Sequence, residues 1–221
     1  MDPYEESPIE FHSYRDSVNQ RPGLYFGDLE DGTAYALIVE ELVSAVLWWK
    51  TGANLSLTLE PELIELACRA ELPGGAAPAT WPGFRPLFVF GKGMASLAFT
   101  RFTNPLHMLA AACRQSMWEL RDRHGEESAL FDEGRCRMAA FVAPELPREF
   151  CFRASLRIGT ERLTFAPASL EQVARRIRYQ DGPQAAAYWG CVTVRDMESE
   201  ETRVVIVTEP PHLPRANWRP A

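Results

Sequence analysis

The chain has 221 residues, of which 46% are hydrophobic, enough for one large domain or two small ones, and one is expected. A formal net charge of −7 with scattered Lys and Arg argues against a surface that tracks nucleic-acid phosphates, and no apolar run approaches the ~18 residues of a membrane span. The five cysteines are odd in number and never form a C-x-x-C pair, so neither a disulfide framework nor a zinc ribbon is indicated; with an acidic start, Met-Asp-Pro-Tyr-Glu-Glu, where a secretory leader would be basic, this points to a reducing cytoplasm.

Residues 1–21 are polar and lack an apolar period, as expected of an arm. Thr33 is placed to cap a helix running to about Lys50, because Leu37, Ile38, Leu42, Ala45, Val46 and Trp49 recur at helical spacing. Leu55 to Leu59 alternates as a half-buried strand, with Leu63 to Ala70 as its hairpin partner. The Pro- and Gly-rich stretch 72–85 reads as a loop and Phe88–Phe90 as a short strand. Asn104-Pro105 opens a second helix that is expected to end near Gln115. Strands are expected at Met117–Arg123 and Ser128–Phe131 around a turn at Gly125, and again at Phe150–Arg157 and Glu161–Phe165. Ser169 precedes an amphipathic helix carrying Leu170, Val173, Ala174 and Ile177, which Gly182-Pro183 breaks. Gly190–Arg195 and Arg203–Thr208 form a last strand pair. This order predicts an α/β (α+β) two-layer sandwich, with helices on one face of a mostly antiparallel mixed sheet. The expected divisions are an arm over 1–20, the domain over 21–209 and a Pro-rich tail over 210–221.

The segment Arg21-Pro22-Gly23-Leu24-Tyr25-Phe26-Gly27-Asp28, followed by Asp31-Gly32-Thr33, resembles the opening of the ATPase domain of the DNA gyrase B subunit and its topoisomerase IV counterpart. Fainter likeness continues through Trp118–Asp122, Val173–Arg178 and Val192–Asp196. The resemblance implies the Bergerat, or GHKL, fold, in which ATP lies between sheet and helices.

Position by position, the resemblance also implies a site that has lost its ATP chemistry. Glu41 takes the place of the family's water-activating glutamate, but the magnesium-binding asparagine of the E-x-x-D-N pattern becomes Ala45. Anchored on Leu72-Pro73, the adenine-reading D-x-G-x-G motif becomes Ala67-Cys68-Arg69-Ala70-Glu71. At the start of the second helix, Thr103 to Met108 has no glycine for a phosphate-wrapping lid. The family's pocket threonine falls on Thr160 by motif, or on Glu161 if the register is held at Phe165. ATP and magnesium are therefore not expected as cofactors, and strand passage is not expected of this chain alone.

Glu41, on an apolar stripe, is the candidate acid or base, its pKa raised by desolvation unless an arginine such as Arg69 pairs with it. Arg69 and Glu71 are expected to fill part of the old nucleotide site, with His107 at its rim. Three functions follow as expectations: a remodelled pocket that binds or transforms another small molecule, in specialised metabolism for instance; a non-enzymatic mimic that modulates a gyrase subunit; and a divergent ATPase. A homodimer through the N-terminal arm is a further candidate partnership, and neither nucleic acid nor membrane is expected as a partner.

Overall fold

The structure, a computed structural model, describes residues 14–49, 52–71, 105–122, 125–133, 135–142, 149–178 and 190–207. Five helices are described: α1 (Tyr14–Gln20), α2 (Pro22–Phe26), α3 (Thr33–Trp49), α4 (Pro105–Ala112) and α5 (Leu170–Arg178). The strands are β1 (Ala53–Glu60), β2 (Leu63–Glu71), β3 (Cys113–Asp122), β4 (Gly125–Asp132), β5 (Arg135–Val142), β6 (Glu149–Ile158), β7 (Gly190–Asp196) and β8 (Thr202–Val207). The expected loop over 72–85, the strand at 88–90, the break at Gly182-Pro183, the tail, and the arm up to residue 13 lie outside the described residues.

The eight strands form one mixed sheet in the order β5-β4-β3-β6-β2-β1-β7-β8. Every neighbouring pair is antiparallel except β1 and β7, which run parallel with Ala53 opposite Gly190 and Leu57 opposite Val194. Period-2 alternation gives the sheet two unlike faces. Leu55, Leu57, Ile64, Leu66, Cys68, Phe152, Leu156, Trp118, Val192, Val194 and Val205 are buried, while their alternates, Asn54, Ser56, Glu65, Arg69, Arg153, Arg195 and Val204 among them, are exposed. The helices cover the buried face.

The segment that carries the family resemblance is a clasp. Pro22 sits in the first turn of α2, and Gly27, at φ 77°, ends it by donating to the Gly23 carbonyl. Phe26 is buried and meets Phe165 edge to face, with centroids 5.4 Å apart. Gly32 is at φ 83°, and a Cβ there would lie 2.9 Å from the Cα of Ala168 and 3.0 Å from the carbonyl oxygen of Pro167. The turn is zipped to the start of α5 by Ala166 N–H donating to the Leu29 carbonyl (2.8 Å) and by Gln172 Nε2 donating to the Asp31 carbonyl (2.9 Å). Ser169 and Gln172 cap α5 reciprocally, Ser169 N–H to Gln172 Oε1 at 2.8 Å and Gln172 N–H to Ser169 Oγ at 3.2 Å.

Asp31 receives the N–H of Thr33 at 2.8 Å, and hydrogen bonding with Thr33 holds its carboxyl below the usual carboxylate value. A carboxyl depressed in the folded state stabilises the fold above its unfolded pKa of about 3.9, and that contribution is lost as pH falls through the folded value. Asp31→Asn is therefore expected to lower Tm slightly at neutral pH and to make no difference well below pH ~4, measured as Tm against pH.

Several sequence expectations are corrected. The polar arm is helical from Tyr14, with Val18 as its buried anchor. α4 ends at Ala112, not near Gln115, because Cys113 already pairs with Ile158 and starts β3 across a bulge. Residues 161–165 form no strand: Leu163 and Phe165 are buried alternately, but the backbone turns on itself, Thr160 N–H donating to the Leu163 carbonyl at 2.9 Å. β5 was not expected from the sequence.

Candidate functional site

α3 is tied to the sheet at both ends. Tyr35 donates its hydroxyl to the Glu60 carbonyl at 2.7 Å, and burial, helped by the charges of Asp196 and Glu60, pushes the phenol well above its ordinary pKa. Further along, Leu47 packs so closely over Gly190 that a Cβ there would meet its Cδ2 at 2.4 Å. The helix thus runs antiparallel to β1, with Glu41 about 9 Å along its axis from Tyr35.

Polar groups concentrate in the middle of this otherwise apolar helix. Glu40, Glu41 and Ser44 account for three of the five buried polar residues among the described ones, the others being Ser116 and Thr160. Glu40 faces α5 and accepts from Arg176 Nε at 2.6 Å. Glu41, one residue on and so turned by about 100°, is 9% exposed and shares its side of the helix with the buried Leu37, Ile38, Ser44 and Ala45.

The other expected site residues do not converge on Glu41. Arg69 lies on the exposed face of the sheet, because the residues of β2 that turn toward the helices are Ile64, Leu66 and Cys68. It therefore neither pairs with Glu41 across the sheet nor fills a cleft beneath the helices. Glu71 closes β2 opposite Glu149, and His107 lies in the first turns of α4; the side chains of both are outside the described residues, as are those of Trp48 and Trp49.

Thr160 is buried, but its hydroxyl closes a turn: it accepts from the N–H groups of Arg162 and Leu163, both at 3.1 Å, and reaches Asn19 Oδ1 of α1 at 3.4 Å. Glu161 is exposed. Without a strand at 161–165, a one-residue register slip no longer separates these two positions. Thr160 also follows the end of β6 at which Arg157 pairs with Leu63, whereas Cys68 pairs with Phe152, five residues back from Arg157 and roughly 17 Å along the strand. Thr160 cannot share a small pocket with the far end of β2.

Two inward-facing residues that the sequence reading passed over occupy that far end. Cys68 is buried, and Phe150, opposite Ala70, is buried beside it. The alternation Ile64-Leu66-Cys68 carried the signal; anchoring on Leu72-Pro73 selected Ala67, which is exposed on the other face. Among the described residues Cys68, Cys113, Cys151 and Cys191 form no disulfide, and burial pushes the thiol of Cys113 up.

Among the described residues no group of three or more His, Cys, Asp or Glu side chains is placed to hold a metal ion, and no helix is long and apolar enough to cross a membrane. No protein-family model and no curated protein matches the chain.

Proposed function

We propose that this chain is a gyrase B-like GHKL domain that has lost ATP hydrolysis and uses the remodelled nucleotide pocket to bind or transform a different small molecule, with Glu41 as its acid or base. The observation that carries this reading is the burial of Glu41 next to Ser44 on the sheet-covering helix. Helices covering one face of a mixed, largely antiparallel sheet are what the resemblance implies, which supports the fold assignment. The residues do not fit magnesium: Ala45, one turn beyond Glu41, carries no ligand atom where the family has asparagine.

A second reading is a non-enzymatic partner of a gyrase subunit. It is favoured by Leu24, which is 77% exposed within the family-like segment.

Thermal shift separates these readings. Magnesium-ATP is expected to leave Tm unchanged, whereas a small molecule that fills the site, at one hundred times its dissociation constant, adds about 2.7 kcal/mol of stability. Glu41→Gln is expected to alter that response without unfolding the chain, since the substitution keeps the side chain's size. A magnesium-dependent ATP shift overturns the proposal in favour of a divergent ATPase. Silence across a metabolite panel, with a shift on adding purified gyrase subunits, favours the second reading.

A further inference from the structure

β8 is the outermost strand of the described sheet on its side, and its sequence Thr-Arg-Val-Val-Ile-Val ends in four β-branched apolar residues. Val205 and Val207 face the helices and are buried, while Val204 and Ile206 stand on the open face, 58% and 61% exposed. The strand contains no lysine, proline or bulge, the usual devices by which proteins blunt an edge. An apolar edge of this kind is a template for another strand.

The neighbouring helix indicates which strand. α5 covers β8, and its exposed stripe Glu171, Arg175, Arg178 lies toward the edge, because Glu171 pairs with Arg203 of β8. The start of α5 is at the Thr202 end of β8: Gln172 is bonded to Asp31 beside the start of α3, and Tyr35 of α3 is bonded to Glu60, at the end of β1 that pairs with Asp196. α5 and β8 therefore run in the same direction. From Glu171 to Arg178 is about 10 Å of helix, which matches roughly three residues of strand. Glu171 is thus level with Arg203, Arg175, about 6 Å further along, with Val205, and Arg178 with Ile206.

We infer that β8 is a homodimer interface, in which two copies pair their β8 strands antiparallel about a two-fold axis through Val205. This register keeps both helix layers on one side of a continuous sheet. It sets Val204 opposite the partner copy's Ile206 on the open face, and vice versa, giving two apolar cross-strand pairs. On the helix side it lays α5 antiparallel to its copy, so that the acidic start of each helix meets the basic end of the other, Glu171 against Arg178. The two Arg175 side chains fall near the axis, each one turn from its own Glu171. The interface is distinct from the N-terminal arm and does not depend on the role proposed for Glu41.

The test is sedimentation of the full chain over a range of concentrations. The expected result is a dimer that dissociates on dilution and is lost in Ile206→Lys and in Val204→Lys, while the Tm of the dilute, monomeric chain is unchanged in both, since each side chain is mostly exposed in the monomer. Glu171→Lys is expected to raise the dimer dissociation constant about tenfold, and Glu171→Lys combined with Arg178→Glu to recover most of that loss. A chain that stays monomeric at every concentration overturns the proposal and leaves the edge to a strand of another protein. A dimer that survives both lysines overturns it in favour of another surface, and failure of the double variant to recover overturns the Val205-centred register.

Discussion

Trp118→Ala is expected to cost about 3–5 kcal/mol, enough to threaten a fold whose total stability is of the usual order of 5–15 kcal/mol. Trp118 is fully buried on β3, packs edge to face on Phe152 with centroids 6.4 Å apart, and donates its indole N–H to Ser116 Oγ at 2.9 Å. Truncation removes the largest side chain in the described core and also leaves the Ser116 hydroxyl, itself fully buried, without its donor. For a chain of this size the loss corresponds to a fall of roughly 10 °C in Tm. Trp118→Phe separates the two contributions: it keeps most of the packing and loses the hydrogen bond, and a smaller cost, about 1–2 kcal/mol, is expected. Urea unfolding followed by far-UV circular dichroism measures both. Equal stability of the alanine variant and the native chain would contradict the packing described for β3 and β6.

Gly32→Ala is expected to be the next most damaging substitution, at about 3 kcal/mol. Two costs add: a side chain at φ 83° is strained by about 1–2 kcal/mol, and its Cβ meets the backbone of Pro167 and Ala168 at 3.0 Å or less, where no flexible side-chain end can move aside. The glycines of the same segment are built-in controls. Gly27, at φ 77° with open space around it, is expected to show the strain alone in Gly27→Ala, about 1 kcal/mol. Gly23, inside α2 and also in open space, is expected to be neutral or slightly stabilised as alanine. If all three alanine variants melt together, the clasp between residues 28–33 and 166–172 does not contribute as its geometry indicates.

α3 and α5 were legible because their buried residues, Leu37, Ile38, Leu42 and Val46 in one and Leu170, Val173, Ala174 and Ile177 in the other, repeat at helical spacing over several turns. The β1–β2, β3–β4 and β7–β8 hairpins were legible for the matching reason at period two. α1 was missed because one anchor, Val18, holds a short polar helix and leaves no period to read. β5 was missed because Arg135-Cys136-Arg137-Met138-Ala139-Ala140 mixes small and charged residues that blur alternation. Glu161–Phe165 misled in the opposite sense: inward and outward residues alternate there, yet the chain crosses the core as a turn and makes no ladder.

The site was less legible than the fold. Burial of Glu41 follows from its place on an apolar stripe, and it is buried. Which residues face it depends on the strand pairing of β2 and β6, and single-sequence spacing does not reveal that. Motif anchoring placed Arg69 on the wrong side of the sheet and brought Thr160 to a pocket from which the β2–β6 register separates it.

The parallel seam between β1 and β7 governs the order in which the molecule can be completed during its synthesis. As the ribosome releases α3 and the β1–β2 hairpin, Leu55 and Leu57 gain one flanking strand, but the opposite edge of β1 waits for Val192 and Val194, which emerge only after more than half of the chain has been made. Through that interval the nascent protein carries an open hydrogen-bonding edge beside a half-covered apolar face, the combination on which unfinished chains misassemble.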